Sequence, residues 1–442
     1  VPSGYRYRLH DHLNGSWGRL FSDKALRRLF RLRNRQKIFP DVDGRFKFSI
    51  LLFDGNKRKS DAADFVFFAH KIEELSDSTR HIKLSAKDIK LVNPNTLTCP
   101  IFRSQRDAEL TKGIYKRVPV LIDKNREEGG NPWGIKFVRM FDQTNDAELF
   151  KTEPELKELR CKRQGAHWKK GKQTYLPLYE AKMIQMYDHR AASVVVKDEN
   201  WMRQGQTADA TPVQHQNPEY VVEPRWWVEE KEVDRVLTLN QRTALLAYKD
   251  VTSPTNTRTM IASLIPYVAV ANSAPLLITE ESIADRTRCC LLANLNGFAL
   301  DYVARQKVGG LHLNFFIVEQ LPVFPPGFYA DRCPWDQRQS LEKWVSDRVL
   351  KLTCTSNDMM PLASVAGLEP PIHPWKPAER ADLMAQLDAA YFILYGIDRD
   401  DVAYILSTFQ GTSEAPPDMF GGASVADRIL KHYDHLRAKT GT

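Results

Sequence analysis

The sequence predicts an α+β protein, and three observations carry that reading. Strand-like runs cluster near the start and again in the middle of the chain. They do not alternate regularly with long helices, as a parallel α/β sheet would require. Roughly the last hundred residues read as helix. At 442 residues the chain is long enough for two to four domains and a sizeable core.

Taken in order, Ser22 is read as the cap of a basic amphipathic helix running to about Asn34, with Leu26, Leu29, Phe30 and Arg33 on one side. After Pro40, "GRFKFSILLFDG" alternates Phe46, Phe48 and Ile50 before an apolar run that Asp54-Gly55 stops, so it is read as a strand. "DFVFFAH" at 64–70 is read as a second strand, antiparallel to the first. The pattern then weakens from 76 to 225, where "RDAELTKGIYKR" is the clearest helix and "EEGGNPWG" and "RQGQTADATPVQHQNPEY" the clearest breaks. From 226 to 330 three strand-like runs, "TALLAYKDV", "TMIASLIP" and "YVAVANSAPLLI", precede one expected helix over Cys289–Val308. A glycine turn, a strand and a proline stop follow in "GGLHLNFFIVEQLPVFPP". In the helical 331–442 region, "RADLMAQLDAAYFILYG" stops at Gly396. Asp398 caps the next helix, with Val402, Ile405, Leu406 and Phe409 as its buried stripe.

Composition excludes some classes. No apolar run reaches the roughly 18 residues that span a bilayer, and no secretory signal opens the chain. A cytoplasmic protein is expected, and one that starts with Val rather than Met is expected to be part of something longer. The six cysteines form no Cys-x-x-Cys pair, which points to reduced thiols. The net charge of +8 is concentrated, because residues 1–60 hold 15 Lys/Arg against 5 Asp/Glu. The stretch 157–190 adds nine basic residues against three acidic ones. Concentrated positive charge is the footprint of a polyanion partner.

Asn131-Pro132-Trp133 offers a polar side chain, a proline and an aromatic ring. Adenine-amino methylation uses that order: polar group and proline carbonyl take the amino hydrogens and the ring stacks on the flipped base. The second proline of such a loop is missing, and a polar turn precedes Asn131 where a sheet strand is needed. Trp133 is therefore expected to anchor packing, with no catalysis at Asn131.

Eight stretches together resemble the large adenine-N6 DNA methyltransferases of Type IIG restriction–modification and BREX phage-exclusion systems, which are bacterial defence enzymes. They are "VPSGY", "RLRNRQKIFPDVDGRFKFSILLF", "NPNTLTCPIFRSQRDAELTKGIYKRVPVL", "NPWGIKFVRMFDQTNDAELF", "YLPLYEAKMIQMYDHR", "YKDVTSPTNTRTMIASLIP", "LLANLNGFALDYVARQKVGGLHLNFFIVEQLP" and "LDAAYFILYGIDRDDVAYIL", in the family's order. The resemblance implies that 1–75 ends a methyltransferase sheet, that 76–225 connects and clamps DNA, and that 226–330 is a mixed α/β target-recognition domain. Residues 331–442 would be the helical C-terminal region. No Asn/Asp/Ser-Pro-Pro-aromatic loop and no glycine loop for S-adenosylmethionine occur in the chain. The resemblance therefore implies a specificity portion, inactive alone. Its partners are double-stranded DNA and a missing N-terminal methyltransferase domain, or a partner subunit, that binds the cofactor.

Reading bases needs Arg or Lys for guanine and Asn or Gln for adenine, carried into a groove. Arg305, Gln306 and Lys307 at a helix end, His312 and Asn314 beyond it, and Lys249, Ser253, Asn256 and Arg258 in one loop are the candidates. Arg305 and Lys307 equally suit helix-end carbonyls. Lys169, Lys170 and Lys172 beside Gly171, with Lys182 and Arg190 in a helix, are candidates for phosphate contact. Asp188-His189-Arg190 lacks a nucleophile, and His10-Asp11-His12 lacks further metal ligands. "WVEEKEVD" lacks the upstream acidic partner of a nuclease. The competing reading is a protein–protein subunit of a defence complex whose basic face covers an acidic partner.

Overall fold

The computed structural model describes residues 25–54, 60–196, 205–238, 243–414 and 423–440. The expected "VPSGY" strand, the Ser22 cap and His10-Asp11-His12 lie outside the described residues. The chain divides into two compact units, one comprising residues 1–130 with 316–322 and the other 131–315 with 323–442. Both combine small sheets with helices, the α+β class the sequence pattern predicts.

The first unit holds a four-stranded sheet of β1 (Leu26–Arg33), β2 (Lys47–Phe53), β3 (Ala62–Ala69) and β4 (Ile82–Ser85), in the order β2-β1-β3-β4. Two expectations fail here. The segment read as a basic helix is strand β1. Its apolar residues look helically spaced because the register slips between Leu26 and Arg28, so Leu26 and Leu29 reach the same face three residues apart. Phe30 and Leu32 then pack on the other face, so both sides of β1 are buried. Nor do β2 and β3 pair: β1 lies between them, antiparallel to β2 and parallel to β3. Helices α1 (Ala86–Val92) and α2 (Gln105–Arg117), each with a serine N-cap, follow β4, and Ile89 and Ala108 pack with Leu29, Phe65 and Phe102 over one sheet face.

In the second unit β5 (Lys136–Val138) precedes α3 (Glu153–Glu158). A meander follows, made of β6 (Lys162–Gln164), β7 (His167–Lys170) and β8 (Gln173–Tyr179). The hairpin β9 (Ala192–Val194)/β10 (Thr207–Asp209) comes next. β11 (Trp227–Glu229) then joins the free side of β8. A second sheet, ordered β13-β12-β15-β5, contains β12 (Leu245–Tyr248), β13 (Ala262–Ile265) and β15 (Leu276–Ile278); the two-residue β14 (Ala269–Val270) runs beside β8. One apolar core, including Leu176, Leu178, Val228, Leu245, Ile265 and Leu276, joins both sheets.

The expected helix at 289–308 is two helices, α4 (Asp285–Asn296) and α5 (Phe298–Lys307). Gly297 between them is extended, and the Asp388 carboxylate accepts a hydrogen bond from the Phe298 amide at 2.8 Å. The strand expected in "GGLHLNFF" reduces to a single bridge between Val251 and His312, followed by a short helix at Phe315–Val318. Pro254 has no N–H to extend the pairing beyond Thr252. The hairpin β16 (Arg332–Cys333)/β17 (Asp336–Ser340) leads into α6 (Leu341–Thr353), α7 (Pro377–Leu394), α8 (Arg399–Ser407) and α9 (Val425–Lys439). As expected, Gly396 takes the left-handed conformation after α7, Asp398 caps α8, and Val402, Ile405, Leu406 and Phe409 are buried. All six cysteines are thiols. Among the described residues, no helix is long and apolar enough to cross a membrane.

Candidate nucleic-acid interface

The meander concentrates unpaired positive charge. Both of its turns have two residues, and such hairpins need a positive φ at the first turn position. Gly165 (φ 60°) and Gly171 (φ 59°) supply it. Trp168 and Tyr175 face a small core with Leu156, Cys161 and Trp227, which anchors the base of the meander. The register places Lys162 directly opposite Lys169, and Lys169 opposite Thr174. Lys170 lies on the other face and Lys172 in the turn. All four lysines are exposed, and none has a carboxylate partner among the described residues. Like charges set opposite each other across strands cost roughly 0.2–1 kcal/mol. A bound polyanion would offset that cost. Lys162 is a contributor that sequence reasoning missed. The pattern "CKRQGAHWKKGKQTY", with glycines at hairpin spacing, carried the signal.

Two other phosphate candidates are placed differently. The "YEAKMIQMYDHR" stretch, expected as one helix, holds only a three-residue 3-10 turn at Ala181–Met183, which Arg190 lies outside. Lys182 there is half-buried, bonded to Glu180 at 3.0 Å and to the Gly205 carbonyl at 2.5 Å. Arg190 is fully buried. Its guanidinium donates to the carbonyls of Asn217 and Tyr220 at 2.9 Å, and of His215 and Thr355 at 3.1 Å. No phosphate reaches such a group. Arg190 is an internal brace, and its proposed backbone contact is corrected on that ground.

The base-reading candidates converge on a second feature. The stretch 250–252 runs against 311–313: Leu313 N donates to Asp250 O at 2.8 Å and Thr252 N to Leu311 O at 2.9 Å. Val251 and Leu311 are exposed at the tip, and the buried Asp250 carboxylate meets His312 Nδ1 at 3.3 Å and Arg139 at 3.5 Å. Lys249 is half-buried and holds a lowered pKa because of burial, with Asp209 opposing. The Arg305 guanidinium donates to the carbonyls of Asn256 and Thr257 and lies 3.7 Å over the Phe409 ring, so it pins the 253–258 loop. Arg258 is buried against Asp301 at 3.0 Å and stacks on Phe298 at 3.8 Å, so as a base reader it too is corrected. Asn256 is exposed, while Ser253, Gln306, Lys307, His312 and Asn314 are half-buried.

Two apparent catalytic groupings are structural. The Asn131 side chain is tied to its own turn: Oδ1 accepts the Ile135 amide at 2.9 Å and Nδ2 donates to the Ile135 carbonyl at 3.1 Å, which fixes its orientation on the loop. Trp133 is fully buried and donates to Phe324 O at 3.0 Å, which is the expected packing anchor. Ser356, His189 and Asp358 resemble a triad by composition only. Serine and both carboxylate oxygens all approach the same Nε2, each at 3.1 Å, so no proton can pass through the ring. Burial alone would raise the Asp358 carboxyl, but the charge and hydrogen bond of His189, with Ser356 and Arg190, hold it below its ordinary value. Asp188 is held down likewise, against burial, by His215, Arg380 and the Arg190 amide.

No protein-family model matches the chain, and no curated protein does. Among solved structures it is similar to the type IIG restriction endonuclease BpuSI, at 10% sequence identity and a TM-score of 0.30. The match covers 88% of this chain and 46% of that enzyme. It is a distant likeness to a restriction–modification enzyme. The chain spans less than half of that enzyme's length.

Proposed function

We propose that this chain binds duplex DNA as the specificity portion of an adenine-N6 methyltransferase in a restriction–modification or phage-defence system. Methyl transfer would fall to a S-adenosylmethionine-binding domain or subunit outside these residues. The meander carries the reading: among the described residues its four exposed lysines have no carboxylate partner, and two of them stand in mutual repulsion. In this reading the β7/β8 hairpin, with Lys169, Lys170 and Lys172 at its turn, faces the major groove, which admits a two-stranded ribbon. In the same reading the 249–258 and 311–314 segments present Lys249, Asn256, His312 and Asn314 to base edges, with Arg305 holding the loop in shape.

A second reading, a protein–protein subunit, draws on strand β2. Among the described residues it is a sheet edge, and Ile50, Leu51, Leu52 and Phe53 are each 38–51% exposed. Apolar edge strands invite another chain. The two readings join if the catalytic domain adds its sheet at β2.

Fluorescence anisotropy with a labelled duplex, titrated from 50 to 200 mM salt, separates them. Binding that weakens steeply with salt is expected, together with no methyl transfer to plasmid DNA by the chain alone. Absence of binding at 50 mM salt would leave the protein–protein reading standing, and methylation by the purified chain would end the division of labour.

A further inference from the structure

A cleft of about 570 Å³ opens in the second unit between the β16/β17 hairpin, α6, α7 and α9. That volume suits a small organic molecule. Arg348 of α6 lines it, half-buried. Its Nε donates to Gln386 Oε1 and its Nη1 to Trp344 O, both at 2.8 Å, while its carbon stacks 3.5 Å over the Trp344 ring. Among the described residues no carboxylate lies within ion-pair distance of it. Burial lowers its pKa to about 10, so it stays charged at neutral pH. Asp347, Asp382 and Asp336 act on the charge from a distance, but none makes a direct pair among the described residues, and an anionic ligand would supply that contact.

The rest of the lining has the same polarity. Lys439 and His435 of α9 are exposed into the cleft with no ion partner among the described residues. Trp335 is 5% exposed, and its Nε1–H has no acceptor among the described residues. Arg338 is tied to Asp336 at 2.9 Å, and His432 to Asp382 at 2.7 Å. The two histidines aside, three cations (Arg338, Arg348, Lys439) against the carboxylate of Asp336 leave the lining at +2, with Asp382 behind His432. Hydrogen-bond donors predominate, and the charge matches a phosphomonoester dianion.

We infer that this cleft binds a small organic phosphate of about mononucleotide size, with Arg348 and Lys439 on the phosphoryl group and His435 at its rim. The site is separate from the meander and does not depend on the DNA-binding proposal.

Isothermal titration of the full chain with AMP, with inorganic phosphate and with a short duplex tests it. Saturable AMP binding is expected, tighter than that of phosphate, weakened about tenfold or more in R348M and several-fold in H435A/K439A. The double variant changes only exposed side chains, so it reports even if R348M folds poorly; circular dichroism checks both. No saturable AMP binding, or AMP binding unchanged in folded variants, overturns the proposal. Duplex that displaces AMP and loses affinity in H435A/K439A also overturns it, since the phosphate would then be the DNA backbone's. Loss of duplex binding in the meander variants alone bears on the other site.

Discussion

Arg190→Lys separates a phosphate contact from an internal brace. The guanidinium makes five contacts, to the carbonyls of Asn217, Tyr220, His215 and Thr355 and to the Thr355 hydroxyl, at 2.9 to 3.2 Å. Its planar fork spans acceptors from two chain segments, 215–220 and Thr355, that one ammonium cannot reach together. If lysine keeps its charge but loses two of these charge-assisted bonds, at roughly 1.5–3 kcal/mol each, the cost is about 3–6 kcal/mol. Urea unfolding followed by tryptophan fluorescence should show the midpoint falling sharply. Duplex affinity of the still-folded fraction should be unchanged, because the side chain is inside. A parent-like midpoint with weakened DNA binding would refute the brace and restore the phosphate contact.

Replacing Lys169, Lys170 and Lys172 by alanine should lower the salt slope of DNA binding by about 2.7, at 0.9 per phosphate, or about 40-fold less loss between 50 and 200 mM. Lys169→Ala alone should leave stability level or raise it by roughly 0.2–1 kcal/mol, since the repulsion from Lys162 is removed; a clear loss in a urea melt would contradict that geometry. Burial raises the Asp388 carboxyl from 3.8 to about 6 in the folded protein, so the fold holds its proton more tightly than the unfolded chain does. That contribution is full below about pH 4 and fades as pH rises through 6. It amounts to roughly 3 kcal/mol, and Asp388→Asn should flatten the urea midpoint between pH 4.5 and 7. Trp133→Phe strands the Phe324 carbonyl and should cost about 1–3 kcal/mol in the same melt, with no change in DNA affinity.

Where the pattern was local, the sequence was readable. Gly396 and Asp398 mark a helix stop and start through their own backbone and side-chain chemistry, and the α8 stripe follows from helical period alone. The lysine-dense stretch was visible as charge. Its hairpin glycines, Gly165 and Gly171, stand at the matching spacing in the same stretch. What misled was spacing that two structures share: a register slip in β1 imitates a helix, and a run such as "GGLHLNFF" is a strand only if a partner continues beside it.

The sequence by itself determined the α+β class, the helical end of the chain, the concentration of positive charge and the packing role of Trp133. Only the tertiary structure decided which cations face water. Arg190 and Arg258 read like Lys169 and Lys170 in the chain, yet buried carbonyls and Asp301 hold the first two inside while a ribbon carries the lysines out. The reason is physical: a side chain's charge is local, but whether it is desolvated depends on segments tens or hundreds of residues away, such as Thr355 for Arg190.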